Sequence, residues 1–277
     1  MGGVRRATPC SATAGSVRFQ AGSLGRGRLS GLASMPTMRP AARSAGQCQD
    51  QGMSMADFDS YCVAPFKQRS PVERLFPDDH EAMKGICFGL CIEWIKRHRT
   101  SKGEAPQKRI AYIDQDSTIL HASIKQRLYS TELKFDLDLS SEQLGARNQA
   151  MGQAGLAVGQ TRTQWMSATD PDSVKDVTKA IATATASPHT YHLVTLNFTQ
   201  RGAAHATCCY KSGGKAFGLG SHLYFFDPNY GEFKASSGSA ASLIAGLVDR
   251  YRHYESRSGA TIDYRVKEFV VQSVSFA

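Results

Sequence analysis

The sequence predicts an α+β fold, a central antiparallel β-sheet flanked by helices. Two observations carry the expectation. Apolar residues recur at helical spacing in several segments between residues 57 and 186, as in Cys87, Leu90, Cys91, Trp94 and Ile95. From residue 191 the period shortens to two, with His192, Val194, Leu196 and Phe198 alternating against Tyr191, Leu193, Thr195 and Asn197. Helices first and strands later is the order of an α+β domain.

In chain order, Asp57–Phe66 carries Phe58, Tyr61, Cys62 and Phe66 and reads as a short helix stopped near Pro65. A loop with Pro71, Pro77, Asp78 and Asp79 leads to a helix that begins at Cys87. This helix closes with Lys96, Arg97, His98 and Arg99, cations suited to its negative end. Ile110–Ile113 reads as a strand. Asp116 or Ser117 caps a helix that carries Ile119, Leu120, Ile124 and Leu128. Residues 141–159 are weakly patterned and interrupted by glycine, a poor helix or a long loop. Asp170-Pro171-Asp172 opens a clearer helix through Val174, Val177, Ile181 and Ala184, ended by Ser187-Pro188. After the 191–198 strand, Arg201-Gly202 turns the chain into a second strand, His205–Tyr210. A glycine-rich loop leads to a third, His222–Phe226, which runs into Asp227-Pro228. Leu243, Ile244, Leu247, Val248 and Tyr251 return to helical spacing, and Tyr264–Val274 closes the chain as a strand.

The net charge of +9 is unevenly spread. Residues 1–50 hold Arg5, Arg6, Arg18, Arg26, Arg28, Arg39 and Arg43 against one acid, Asp50; this is +6, and +3 is left for the remainder. The basic character therefore belongs to the tail and does not indicate a nucleic-acid surface on the folded part. Residues 1–52, rich in Gly, Ala, Ser and Arg and poor in large apolar residues, read as a disordered basic segment for secretion and processing. Residues 53–277 form the folded domain. Met1-Gly2 invites N-myristoylation, but Arg6 stands where that signal needs Ser or Thr. A cut after Ala45 would expose Gly46 beside an acylatable Cys48, a route to membrane association after processing. Seven cysteines, an odd number, do not suggest a disulfide framework. No apolar run approaches a membrane span, and no secretory apolar core opens the chain. A reducing compartment is expected, where a thiol nucleophile stays usable.

A cysteine in the first turn of a helix lies at the positive end of the dipole, which favours thiolate. A thiolate hydrolase also needs a histidine to handle the proton and a group to orient that histidine. His205 opens a strand and Asp227 closes the next. If these strands pair as a hairpin, the two residues are neighbours, and the Cys87 helix can pack its N-terminus against them. Cysteine on a helix with histidine and aspartate on the sheet is the papain-like arrangement.

Three blocks now carry a resemblance: Gly85-Ile86-Cys87-Phe88-Gly89-Leu90-Cys91-Ile92-Glu93-Trp94, His205-Ala206, and Phe225-Phe226-Asp227-Pro228-Asn229-Tyr230-Gly231-Glu232-Phe233. Their order resembles the YopT/AvrPphB family of type III secreted cysteine proteases over residues 55–277, and the arginine- and alanine-rich composition is similar to the plant-associated, NopT-like members. The resemblance implies a papain-like fold with Cys87 as nucleophile, His205 as general base and acid, and Asp227 as orienting residue. It also implies cleavage of host proteins inside the host cell, at its cytoplasm or plasma membrane. A small GTPase or a receptor-like cytoplasmic kinase is the implied substrate. Self-cleavage is implied too, with the region from Arg39 to Met55 as the candidate. A monomer without cofactor or metal is expected. Two departures stand out. No Gln or Asn lies just upstream of Cys87 to complete an oxyanion hole, and the glycine-rich loop between His205 and Asp227 is long enough to reshape the cleft.

Three rival readings use the same residues. Cys87, Cys91, His205, Cys208 and Cys209 could form a zinc site, against which adjacent Cys208 and Cys209 would face opposite sides of a strand. The same triad serves acyltransferases and transglutaminases. A decayed protease fold could instead bind a host kinase or GTPase without catalysis, a reading kept open by the missing oxyanion amide.

Overall fold

The structure is a computed structural model that describes residues 58–132, 141–165, 174–200, 203–214, 220–255 and 259–276. The predicted tail, residues 1–52, lies outside them, as do the Asp170–Asp172 cap and the Arg201–Gly202 turn.

A seven-stranded antiparallel sheet in the order β1-β6-β5-β4-β3-β9-β2 divides the molecule. Its strands are β1 (Cys62–Pro65), β2 (Leu156–Trp165), β3 (Thr190–Phe198), β4 (Ala204–Lys211), β5 (His222–Asp227), β6 (Gly231–Ser236) and β9 (Val266–Phe276). A separate small ribbon pairs β7 (Tyr254–Glu255) with β8 (Thr261–Ile262). On one face lie α1 (Arg69–Leu75), α2 (His80–Met83), α3 (Cys87–Thr100), α4 (Pro106–Ile113), α5 (Asp116–Glu132) and α6 (Ser141–Gln153). On the other lie α7 (Val174–Ala184) and α8 (Ala240–Arg252). The predicted α+β class and sheet are present.

Each face has its own core, and the alternation of β4 shows how one strand feeds both. Ala206, Cys208 and Tyr210 pack under α3, whereas Cys209 packs with Leu247 and Val248 of α8. Helix α3 is almost wholly buried, with Leu90, Cys91, Ile92, Trp94 and Ile95 each at 0% exposure. It crosses α5 so closely that a Cβ on Gly89 would sit 1.9 Å from the Ala122 carbonyl oxygen, so glycine is required there. That crossing decides which side of α5 is buried.

Several expectations change. The 58–66 segment makes only a brief helical turn before β1, because Cys62–Pro65 pairs antiparallel with β6 and so gains sheet hydrogen bonds. The 68–86 loop contains α1 and α2; Asp79 caps α2 by accepting from the Glu81 and Ala82 N–H groups. Ile110–Ile113 is the end of helix α4, not a strand. Pro106 at its first turn starts it, and Ile110 and Ile113 bury one helical face. On α5, Ile119 and Ala122 are buried at the Gly89 crossing, while Leu120, Ile124 and Leu128 are exposed at 45%, 55% and 38%. Residues 141–159 form α6 and the start of β2, whose pairing along β9 supplies what the weak pattern lacks. The glycine-rich connection leaves from Lys211 and His222, the ends of β4 and β5 opposite to His205 and Asp227; residues 215–219 within it lie outside the described residues.

Candidate active site

The site forms at one end of the sheet, where α3 from one face meets a histidine from the other. Gly85, at φ 118°, bends the chain sharply into α3, and Cys87 is its first residue. The Cys87 Sγ accepts from the Ala206 N–H at 3.4 Å. The next residue of the helix, Phe88, donates its N–H to Gln126 Oε1 at 3.0 Å, and its ring stacks on Tyr129. Both contacts anchor the first turn of α3 on α5. Four residues on, the Cys91 thiol donates to the Ala206 carbonyl at 3.4 Å. One residue of β4, Ala206, is thus held against both cysteines, through its N–H and its carbonyl.

His205 is the residue before Ala206 on β4, and its Nε2 lies 3.1 Å from Asp227 Oδ1. Pairing of Cys208 with Phe226 sets the β4–β5 register and puts His205 and Asp227 diagonally across the end of the hairpin on one face. With Nε2 turned to the carboxylate, Nδ1 is the ring nitrogen left to face the thiol, and the imidazole acts electrostatically on Cys87. The structure therefore brings Cys87, His205 and Asp227 together.

The Asp227–Gly231 turn is shaped by its sequence. Asn229 N–H donates to Asp227 Oδ1 at 2.8 Å, an Asx-turn, and Tyr230 N–H closes onto the Asp227 carbonyl at 3.1 Å. Gly231, at φ 118°, has no room for a side chain: a Cβ would lie 2.2 Å from the Ala64 carbonyl oxygen. The turn also binds the chain beyond β1, since Gln68 N–H donates to the Pro228 carbonyl at 2.7 Å.

Burial raises the proton affinity of the Cys87 thiol, but the adjoining His205 and the N–H groups of Ala206 and Phe88 outweigh it, so the pKa lies below the ordinary thiol value. Burial lowers that of His205; the Asp227 charge and hydrogen bond, with the Cys87 thiolate, raise it well above the ordinary imidazole value. The two shifts run toward one state, thiolate beside imidazolium.

Three polar residues of the site, Gln68, Asn229 and Tyr251, carry no local signal of a role in the sequence. Gln68 is 7% exposed and borders the same cleft of about 620 Å³ as Cys87 and His205. Its Oε1 accepts from the Ile86 N–H at 3.0 Å, and its Nε2 donates to Asn229 Oδ1 at 2.7 Å. An N–H can only donate, so the Ile86 contact fixes which end of the amide is oxygen. Gln68 lies eighteen positions before Ile86, too far for a search immediately upstream of the cysteine to find it. Tyr251 donates to Asp227 Oδ2 at 2.9 Å, and Asn229 Nδ2 donates to the Tyr251 hydroxyl at 3.3 Å. Tyr251 reads in sequence as one more apolar-face residue of its helix; only its hydroxyl distinguishes it.

The zinc reading finds no support in this geometry. Cys208 lies by Cys91 under α3, with its Sγ 3.6 Å from the Cys91 carbonyl, while Cys209 faces the other core. Among the described residues no group of three or more His, Cys, Asp and Glu is placed to hold a metal ion. None of their helices is long and apolar enough to cross a membrane.

Comparison with known proteins bears on the family and the fold. A protein of Bradyrhizobium diazoefficiens named as a YopT-like cysteine protease is 26% identical over 67% of this chain and 59% of its own length. A second from the same organism is 30% identical over 64% and 62%, and one from Sinorhizobium fredii is 27% identical over 60% and 59%. The chain thus spans about three fifths of the length of these relatives. The crystal structure of the Pseudomonas avirulence protein AvrPphB superposes with a TM-score of 0.58 at 23% identity, covering 79% of this chain and 99% of that one, and shares its papain-like fold. Residues 52–267 match the cysteine-peptidase family described as Yersinia/Haemophilus virulence surface antigen, and the chain belongs to that family.

Proposed function

We propose that this chain is a cysteine endopeptidase in which Cys87, His205 and Asp227 act as the catalytic triad. The observation that carries the reading is the Cys87 thiol at a helix start, held to the residue next to His205, whose imidazole Nε2 meets a buried carboxylate. In the resting pair the thiolate is the nucleophile. It attacks a peptide carbonyl, and the oxyanion forms between the Cys87 N–H, which as a first-turn donor has no acceptor one turn back, and the Gln68 amide. One N–H of that amide is committed to Asn229, which leaves its second to donate. His205 gives its proton to the departing amine, and water, deprotonated by His205, then releases the acyl group from Cys87. Asp227 keeps the imidazole in one orientation throughout. With Gln68 in the cleft, the absent upstream amide no longer favours a decayed, purely binding protein.

Family membership leads to the wider reading: a type III secreted effector that cleaves a host protein, a small GTPase or a receptor-like cytoplasmic kinase, in the host cytoplasm or at its plasma membrane. Residues 1–52 would serve secretion and processing, and the cut would fall between Arg39 and Met55. The test is expression of the full chain as wild type and as Cys87→Ala, with intact-mass measurement of both and digestion of denatured casein. A shortened wild type, a full-length variant and casein cleavage by the wild type alone are expected. Two full-length products would sink the self-processing, and equal casein cleavage by both would sink the triad.

A further inference from the structure

The cysteine and histidine halves of the site are joined by more than the thiol–imidazole contact. From Gln68 the chain of hydrogen bonds runs Nε2 to Asn229 Oδ1 (2.7 Å), Asn229 Nδ2 to the Tyr251 hydroxyl (3.3 Å), the hydroxyl to Asp227 Oδ2 (2.9 Å), and Asp227 Oδ1 to His205 Nε2 (3.1 Å). Four separated segments contribute: the approach to α1, the β5–β6 turn, α8 and β4. Every link has its direction fixed. Ile86 N–H sets the oxygen end of Gln68, so the other end must donate to Asn229 Oδ1; Asn229 Nδ2 must then donate to Tyr251, whose single proton is left for the carboxylate. The phenol fits this role because Tyr251 is 2% exposed, its ring lies 5.2 Å from that of His205, and Asp227 is fully buried. Without the hydroxyl, Oδ2 would face the core with no donor.

We propose that Tyr251 and Asn229 are positioning residues of this site, which tie the Gln68 amide to the Asp227 carboxylate so that the oxyanion donor and the imidazole are set by one hydrogen-bond chain. The proposal rests on the peptidase reading above. Tyr251 shares the negative charge of Asp227 and so moderates its pull on the imidazolium. Asn229 holds the Gln68 amide at the cleft through its Oδ1 and supports the Tyr251 hydroxyl through its Nδ2. The other ionisable groups facing the His205–Asp227 pair are Cys87 from α3, Tyr230 from the turn, and the thiols of Cys91 and Cys208. Burial pushes the Tyr230, Cys91 and Cys208 groups up, so they stay neutral near pH 7. Arg250, whose guanidinium lies 5.2 Å from the Tyr230 ring centroid, is a cation at the rim.

The test reads Cys87 directly, without a known substrate. The full chain is reacted with iodoacetamide across pH, and carboxamidomethylation of Cys87 is followed by peptide mass mapping. Wild type should show an acid inflection from the thiol and an alkaline one from His205. In Tyr251→Phe the carboxylate, short of a donor, leans on the imidazolium, and the alkaline inflection should rise by about one pH unit while the acid one stays in place. Asn229→Ala, at a half-buried position that leaves no core cavity, should raise it by about half a unit and slow casein hydrolysis about tenfold. In a Gln68→Ala background the same Asn229→Ala change should cost less than about twofold, since its effect on the reaction passes through Gln68. A two-inflection wild-type profile that neither Tyr251→Phe nor Asn229→Ala displaces overturns the proposal alone, as does full additivity of the Gln68 and Asn229 changes. A wild type that reacts with the single inflection of a free thiol overturns the peptidase reading and the proposal with it.

Discussion

Asp227 and Glu232 stand on either side of one turn, and both carboxylates are completely buried. Their partners differ in kind. Glu232 is gripped by Arg109 through Nε at 2.8 Å and Nη2 at 2.7 Å, and the Trp94 indole N–H adds a third bond at 2.9 Å. The guanidinium charge is permanent, so this cluster has one state. It joins α3 and α4 to β6 and carries no chemistry of its own. Asp227 instead accepts from a phenol and a backbone N–H, both neutral, and from His205, whose charge comes and goes. A buried carboxylate matched by a fixed cation builds the scaffold. The same group matched by a titratable cation holds a proton where a reaction can use it.

Isosteric amides break the comparison most sharply. Asp227→Asn should leave the protein folded at neutral pH but lower peptide hydrolysis by about three to four orders of magnitude, because the imidazolium loses its counter-charge and its orientation. The Cys87 thiol should return toward its ordinary pKa, visible as an upward move of the acid inflection in alkylation. Glu232→Gln should do the reverse. It strands the buried Arg109 charge and costs about 3–5 kcal/mol in urea unfolding, while the folded fraction keeps its alkylation profile. Were the stability loss to fall on Asp227→Asn and the activity loss on Glu232→Gln, the two roles would be exchanged.

How much of this the sequence carried follows the same division. The period of α3, the alternation of β3 and the Asp-Pro-Asn-Tyr-Gly-Glu run are local patterns, and from them the sheet and the grouping of Cys87, His205 and Asp227 could be expected. The segments whose local pattern points elsewhere owe their structure to distant partners. Cys62–Pro65 is a strand because β6 lies beside it, and Leu156–Trp165 because β9 does. Leu120, Ile124 and Leu128 have the spacing of a buried face, yet the close approach at Gly89 turns the Ile119–Ala122 side of α5 inward instead. Gln68, Asn229 and Tyr251 were invisible as a group for a similar reason. Each is an ordinary residue in its own segment, and only the folded chain makes them neighbours.

The histidines offer a finer version of the comparison. His98 is 2% exposed, stacked on Trp94 with its Nδ1 2.9 Å from the Tyr191 hydroxyl. Burial holds its pKa down to about 3, and the charges of Arg109 and Lys102 add to the effect. The guanidinium that satisfies Glu232 therefore helps keep His98 neutral, whereas Asp227 keeps His205 charged. The signs of their pH dependence are opposite. His98 takes up a proton more readily unfolded than folded, so its stabilisation is complete above the ordinary imidazole pKa and is lost as pH falls below it toward 3. That of His205 is complete below the ordinary value and is lost as pH rises through its raised folded pKa. From pH 7 to pH 5 the His98 contribution amounts to about 2 kcal/mol. His192, held down to about 4 by burial and by Arg162, adds to the fall in the same direction. Urea midpoints of wild type and His98→Phe across that range isolate the first contribution. The variant should keep its ring against Trp94 and lose about 2 kcal/mol less on acidification than the wild type; parallel curves would mean that His98 accepts its proton inside the folded core.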